Sequence, residues 1–210
     1  MSHCTKFDFT YSDERVIVKA FKKLGIKCST EVVCEFKSDF SKKFLGNVGY
    51  QGTKQYRAII GTMNGYNLFL CKMADSCYEL FIERSEIFNS YSSEVKELAE
   101  RFKKSYIEVA VDSVVSKLDK SNMPSEVKID NNKYIINFGP NLEYSIAIVY
   151  NDTSIMEEVS GVKGEFCTKL TEDIENMLSH PSAELSTEWK QDYNIVVEDQ
   201  NIQVLSLSFE

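Results

Sequence analysis

The chain reads as an α+β protein, with antiparallel sheets and helices packed on one face, arranged as two small modules. Three observations predict this. Strand-length apolar segments follow one another with only turn-forming residues between them, as at Met63-Asn64-Gly65 and Ala74-Asp75-Ser76. Between Val95 and Leu118 apolar residues recur three and four apart, the period of one long helix. After Gly139-Pro140-Asn141, a breaker-rich stretch, a new series of strands and a helix begins. The expected modules are therefore residues 1–138 and 142–210.

The first module opens with Phe7, Phe9 and Tyr11 alternating with Asp8 and Thr10, the period of a half-buried strand. Ser12 offers an N-cap, and Asp13 and Glu14 place negative charge in a first helical turn. Ile17, Ala20, Phe21 and Leu24 form one apolar face of that helix, and Gly25 suits its C′ position. Glu31–Phe36 reads as a strand, and 37–52 as a polar loop ending in Gly49-Tyr50-Gln51-Gly52. Strands at Gln55–Thr62, Tyr66–Met73 and Cys77–Arg84 form a meander. The long helix, capped by Ser92 or Ser93, is expected to lie across it and bury its stripe there. Val127–Ile129 and Tyr134–Phe138 form a hairpin around Asp130-Asn131-Asn132.

In the second module Leu142–Tyr150 and Ile155–Ser160 flank a polar turn. A helix follows with Phe166, Leu170, Ile174 and Met177 on one face and His180-Pro181 at its end. Tyr193–Val197 and Ile202–Phe209 read as a closing hairpin.

Totals narrow the function classes. The 210 residues are 43% apolar and 27% charged, ordinary for a globular chain. No apolar run reaches the length of a membrane span, and the N-terminus lacks the pattern of a secretory signal. A cytoplasmic location, or another reducing compartment such as a plastid stroma, is the expectation. The formal charge of -8 argues against broad binding to a nucleic-acid backbone. Cys28/Cys34 and Cys71/Cys77 share a wider spacing than structural zinc pairs use, so small buried packing residues are the plainer account. No metal or cofactor is expected.

Two pieces resemble known families. Residues 1–118 resemble the hypothetical chloroplast reading frame thirty-five family through Met1-Ser2-His3, Lys22-Lys23-Leu24-Gly25, Gly49-Tyr50-Gln51-Gly52, Tyr78-Glu79-Leu80 and the helix carrying Tyr106. Cys4 stands where that family has a phenylalanine, and Phe36–Gly46 diverges. Residues 142–193 resemble a small bacterial family of unknown function, on Gly161-Val162-Lys163-Gly164, Cys167, Leu170-Thr171 and Glu184-Leu185-Ser186-Thr187-Glu188-Trp189. The chain thus looks like a fusion of neighbouring-gene families. The resemblance implies association with an AAA-type ATPase and no established activity.

Candidate site residues follow from local chemistry. The turn at Gly161, Lys163 and Gly164 could present backbone N–H groups to an anion at a helix N-terminus. It lacks the full phosphate-loop pattern, and glycines also serve a strand-to-helix reversal. Cys167, in the first turn of that helix, has a setting that lowers a thiol pKa, but no histidine stands near it in sequence. Tyr50 and Gln51 form either an exposed tip suited to recognition or a tyrosine folded back to cap the sheet edge, and Trp189 is either a partner-facing aromatic or a core residue. Glu157-Glu158 and Glu172-Asp173-Glu175 read as solvated faces. The favoured function is a non-enzymatic adaptor within a larger assembly. A small-anion or phosphoryl-ligand site at Gly161–Gly164, with Cys167 as a thiol, is one alternative; a ribosome- or RNA-associated factor is another.

Overall fold

The computed structural model describes residues 3–36, 54–84, 93–162 and 166–189. In chain order the elements are β1 (His3–Asp8), α1 (Glu14–Lys23), β2 (Cys28–Phe36), β3 (Lys54–Met63), β4 (Tyr66–Lys72) and β5 (Tyr78–Arg84). Then come α2 (Ser93–Lys120), β6 (Ser125–Asp130), β7 (Lys133–Phe138), β8 (Tyr144–Tyr150), β9 (Ser154–Ser160), α3 (Phe166–Leu178) and β10 (Ser186–Trp189). Among the described residues these make three helices and two antiparallel sheets, of six and four strands, an α+β fold. The chain divides into two compact units, one being Glu14–Tyr106 and the other Met1–Asp13 together with Ile107–Glu210. Gly139 lies within the second of these, between β7 and β8, with a φ of 102°.

The Glu14–Tyr106 unit holds the sheet β2-β3-β4-β5. Its β3–β4 hairpin closes on Asn64 and Gly65, whose φ values of 54° and 78° give the turn that matches strand twist. Between β4 and β5, Ser76 takes a φ of 70°, and the Cys77 amide donates to Asp75 Oδ1 at 3.1 Å. Ala20 and Phe21 of α1 are fully buried. The helix ends as its glycine predicts. Gly25 has a φ of 73°, its amide reaches the Lys22 carbonyl, and the Ile26 amide reaches that of Phe21. Phe21 meets Phe102 of α2 with ring centroids 4.7 Å apart. Ser105 donates to the Ala20 carbonyl at 3.0 Å, and the Tyr78 hydroxyl donates to Glu14 at 2.8 Å.

Gly61 of β3 faces this packing. A Cβ there would run into the Phe21 ring and would lie 2.9 Å from an Ile26 methyl. The other face of the same sheet carries Cys34, Tyr56, Ala58 and Cys71, with Ile60, Phe69 and Phe81 packed against them. Cys4, Cys28, Cys34, Cys71 and Cys77 are free thiols. Burial, reinforced by neighbouring Cys34 and Glu79, pushes the Cys71 thiol up to about 12, so it remains protonated and packs as an apolar group.

The other unit holds the sheet β10-β1-β9-β8-β7-β6. Its neighbours β6 to β9 are joined by successive connections, with Asn131 at a φ of 51° turning β6 into β7. One face buries Tyr134, Ile136, Phe138, Ile146, Ile148, Ile155 and Val159. Leu170, Ile174 and Leu178 of α3 are buried as their spacing requires. Here Glu108 of α2 accepts from the Tyr134 hydroxyl at 3.3 Å, and Lys117 pairs with Asp173 of α3. The α2 stripe therefore does not serve the meander alone. Its first half packs against α1 in the unit of the four-stranded sheet, and its second half belongs to the unit of the six-stranded one.

The start and end of the chain differ from the sequence expectation. Alternation of Phe7, Phe9 and Tyr11 suggested a strand through all three, yet β1 stops at Asp8. Phe9 and Tyr11 instead meet edge-on, 4.8 Å between centroids. The Ser12 hydroxyl lies 2.8 Å from the carbonyls of Asn176 and Met177, at the C-terminal end of α3. Residues 186–189, where no strand was expected, form β10. The expected hairpin at 193–209 lies outside the described residues.

Gly61→Val is expected to lower stability by about 1–3 kcal/mol, the cost of overpacking a filled core. Denaturant titration checks this, and pairing it with Phe21→Leu should return part of the loss by vacating the ring's position.

Candidate functional site: a buried polar strip on the six-stranded sheet

The two-residue period of β9 sends Ile155, Glu157 and Val159 to one face, and all three are fully enclosed. Glu157 stands opposite Thr5 of β1 and Ile148 of β8. Thr5 in turn stands opposite Thr187 of β10, their hydroxyls 3.1 Å apart. One row up, His3 pairs with Val159 on one side and Trp189 on the other. The imidazole and indole centroids are 5.3 Å apart, tilted by 46°. Thr171 of α3 is buried, and Glu175, one turn later, is close enough to act on Glu157 electrostatically. An otherwise apolar face therefore carries a strip of imidazole, hydroxyls and carboxyls.

Its chemistry is set by exclusion of water. Neither carboxyl oxygen of Glu157 has a hydrogen-bond partner among the described residues. Burial pushes its pKa well above the usual carboxyl range, and the nearby Glu175 pushes the same way. Glu175 is itself raised by burial, against a lowering hydrogen bond from Thr171 and a raising contribution from Glu172. Burial lowers His3. Both shifts favour the uncharged form, a protonated carboxyl at Glu157 and a neutral imidazole at His3. The strip can hold a proton and donate a hydrogen bond. It offers no exposed nucleophile, and among the described residues no three of its His and Glu donors converge as a metal site would require.

The expectation that Glu157 lies on a solvated face is overturned. The signal was present, because Ile155 and Val159 flank Glu157 at strand spacing and fix it on their side. Glu158, the neighbour in sequence, takes the opposite face.

The residues singled out from the sequence are dispersed. Gly161 leaves β9 with a φ of 83°, and a Cβ there would lie 2.8 Å from the Glu143 carbonyl oxygen. The turn itself accounts for this glycine. Lys163 and Gly164 lie outside the described residues, as do Tyr50 and Gln51. The Cys167 backbone sits in the first turn of α3, and its side chain lies outside the described residues. Trp189 is 47% exposed on the outermost strand β10. Its ring meets His3, which pairs with Val159, two residues before Gly161. Gly161 and Trp189 thus share one end of the sheet.

The buried acid makes a signed prediction. Because the folded state holds the Glu157 proton above the pH at which the unfolded chain releases it, stability falls as pH rises above the ordinary carboxyl range. Glu175 and Glu79 add to that fall, while lowered His3 opposes it below the ordinary histidine range. Glu157→Gln is therefore expected to change stability little at acid pH and to raise it at neutral pH. The gain is bounded at about 1.4 kcal/mol per pH unit for one group. Thermal melts of both proteins across pH check the sign.

Residues 146–193, which include most of β8 and all of β9, α3 and β10, match the model of a family described as protein of unknown function (DUF2997). No curated protein matches the chain. No corresponding finding supports the resemblance of residues 1–118 to the chloroplast family. The segment that resembles a small family of unknown function is thus the one that carries a family match, and it contributes Glu157, Thr171, Glu175, Thr187 and Trp189 to the polar strip.

Proposed function

We propose that this chain is a non-enzymatic interaction protein that takes its place in a larger assembly through the edges of its sheets. One observation carries the reading. Among the described residues, large apolar side chains are exposed on the outermost strands of both sheets: Val33 on β2, Val127 and Ile129 on β6, and Trp189 on β10. Val127 and Ile129 lie on the same face of their sheet as the buried Tyr134 and Ile136, to which they are paired. An outermost strand with unpaired backbone groups and apolar side chains is a template for another chain, and proteins that do not use such edges blunt them with charge or proline. The acidic balance of -8 suits a partner with basic surface.

The resemblance of residues 1–118 to the chloroplast reading frame thirty-five family makes an AAA-type ATPase the first partner to seek. The test is affinity purification at native abundance with mass spectrometry. Wild-type protein is expected to bring down a defined partner. Replacing Val127 and Ile129 together by lysine should reduce its recovery about tenfold or more while leaving the circular dichroism unchanged, as loss of a central contact does. Purification of the chain alone, or equal recovery by the lysine variant, would sink the reading.

A further inference from the structure

The family-matched segment supplies β9 and β10, and the crossover through α3 leaves them parallel with room for one strand between them. That room is filled from outside the segment. All six residues of β1 pair with β9, and His3, Cys4, Thr5 and Lys6 pair with β10 as well. The contacts continue past the strand. The Phe9 amide donates to the Thr153 carbonyl at 2.9 Å, and that of Thr10 to the Leu178 carbonyl at 2.8 Å. Ser12 then reaches the last carbonyls of α3.

We propose that the gap between β9 and β10 is a strand-binding site, a receptor for an extended peptide whose resident occupant is residues 3–12 of the same chain. Backbone pairing on two sides supplies affinity without regard to sequence, and alternate side chains supply selection. Those pointing to the buried face are His3, Thr5 and Phe7. The floor of the slot carries the specific signal. Glu157, fully enclosed and without a hydrogen-bond partner among the described residues, stands directly opposite Thr5. The matching ligand is an extended segment with an aromatic residue at the position of Phe7 and, at that of Thr5, a side chain long enough to donate to the acid. The slot shares β10 with the exposed edges but neither β2 nor β6, so the test at Val127 and Ile129 and the test of the slot can each fail without the other.

The test keeps the whole chain. A protease recognition sequence is inserted between Asp13 and Glu14, and the purified protein is cleaved. The peptide Met1–Asp13 is expected to remain bound on gel filtration and to exchange with a labelled synthetic copy. A peptide carrying Thr5→Asn should compete about tenfold better, as one good hydrogen bond to a buried acceptor allows. That advantage should vanish when the cleaved chain carries Glu157→Leu. Shedding of the peptide without uptake of the labelled copy overturns the proposal. So does aggregation on cleavage, or retention with no exchange even in mild urea. Equal competition by the two peptides removes Glu157 from the recognition.

Discussion

The six-stranded sheet depends on one long-range pairing, the seating of β1 between β9 and β10. Every other strand contact described in that sheet joins elements that follow one another closely, from β6 through β9. Without β1, β10 would have no described neighbour. Residues of the first turn of sequence thereby determine the environment of residues near its end. The buried strip exists only because β1 contributes His3 and Thr5 to the face that Glu157 occupies.

That strip opposes the ordinary logic of a core. Ile146, Ile148, Ile155 and Val159 make the surroundings of position 157 apolar, and the chain places a carboxyl there. A buried polar group without a partner costs about 1–3 kcal/mol by mutational measures. Unlike Ser105, whose hydroxyl finds the Ala20 carbonyl, Glu157 has nothing of the kind among the described residues. Local inconsistencies of this type belong where a protein does something besides fold. Its position in the family-matched segment, next to the one strand that comes from elsewhere, joins that inconsistency to the topology.

Much of the local architecture was legible because its causes are local. Asn64-Gly65 announces a tight turn through the positive φ both residues adopt, and Gly25 ends α1 through the same freedom. The α2 stripe declares a helix but not what each half covers, since the period is identical along its length. The partners of β1 were invisible, because nothing in His3–Asp8 encodes which distant strand it meets. Phe9 and Tyr11 then extended its apparent length, their apolar character serving a ring contact and not a strand. Glu157 was misjudged by reading Glu157-Glu158 as a charged pair when adjacent strand residues face opposite ways. Trp189, open between a partner-facing aromatic and a core residue, is 47% exposed with its ring against His3.

The seating of β1 also sets a timetable for biosynthesis. Phe7 leaves the peptidyl-transferase centre long before Ile155, its partner about 150 residues downstream. At ordinary elongation rates the interval is roughly ten to thirty seconds. For that time β1 lacks the strands it pairs with, whereas the β3–β4 hairpin has its own mate within a few residues. A strand made early is thus among the last to be secured, and a polypeptide terminated before β9 would expose that idle strand to chaperones and proteases.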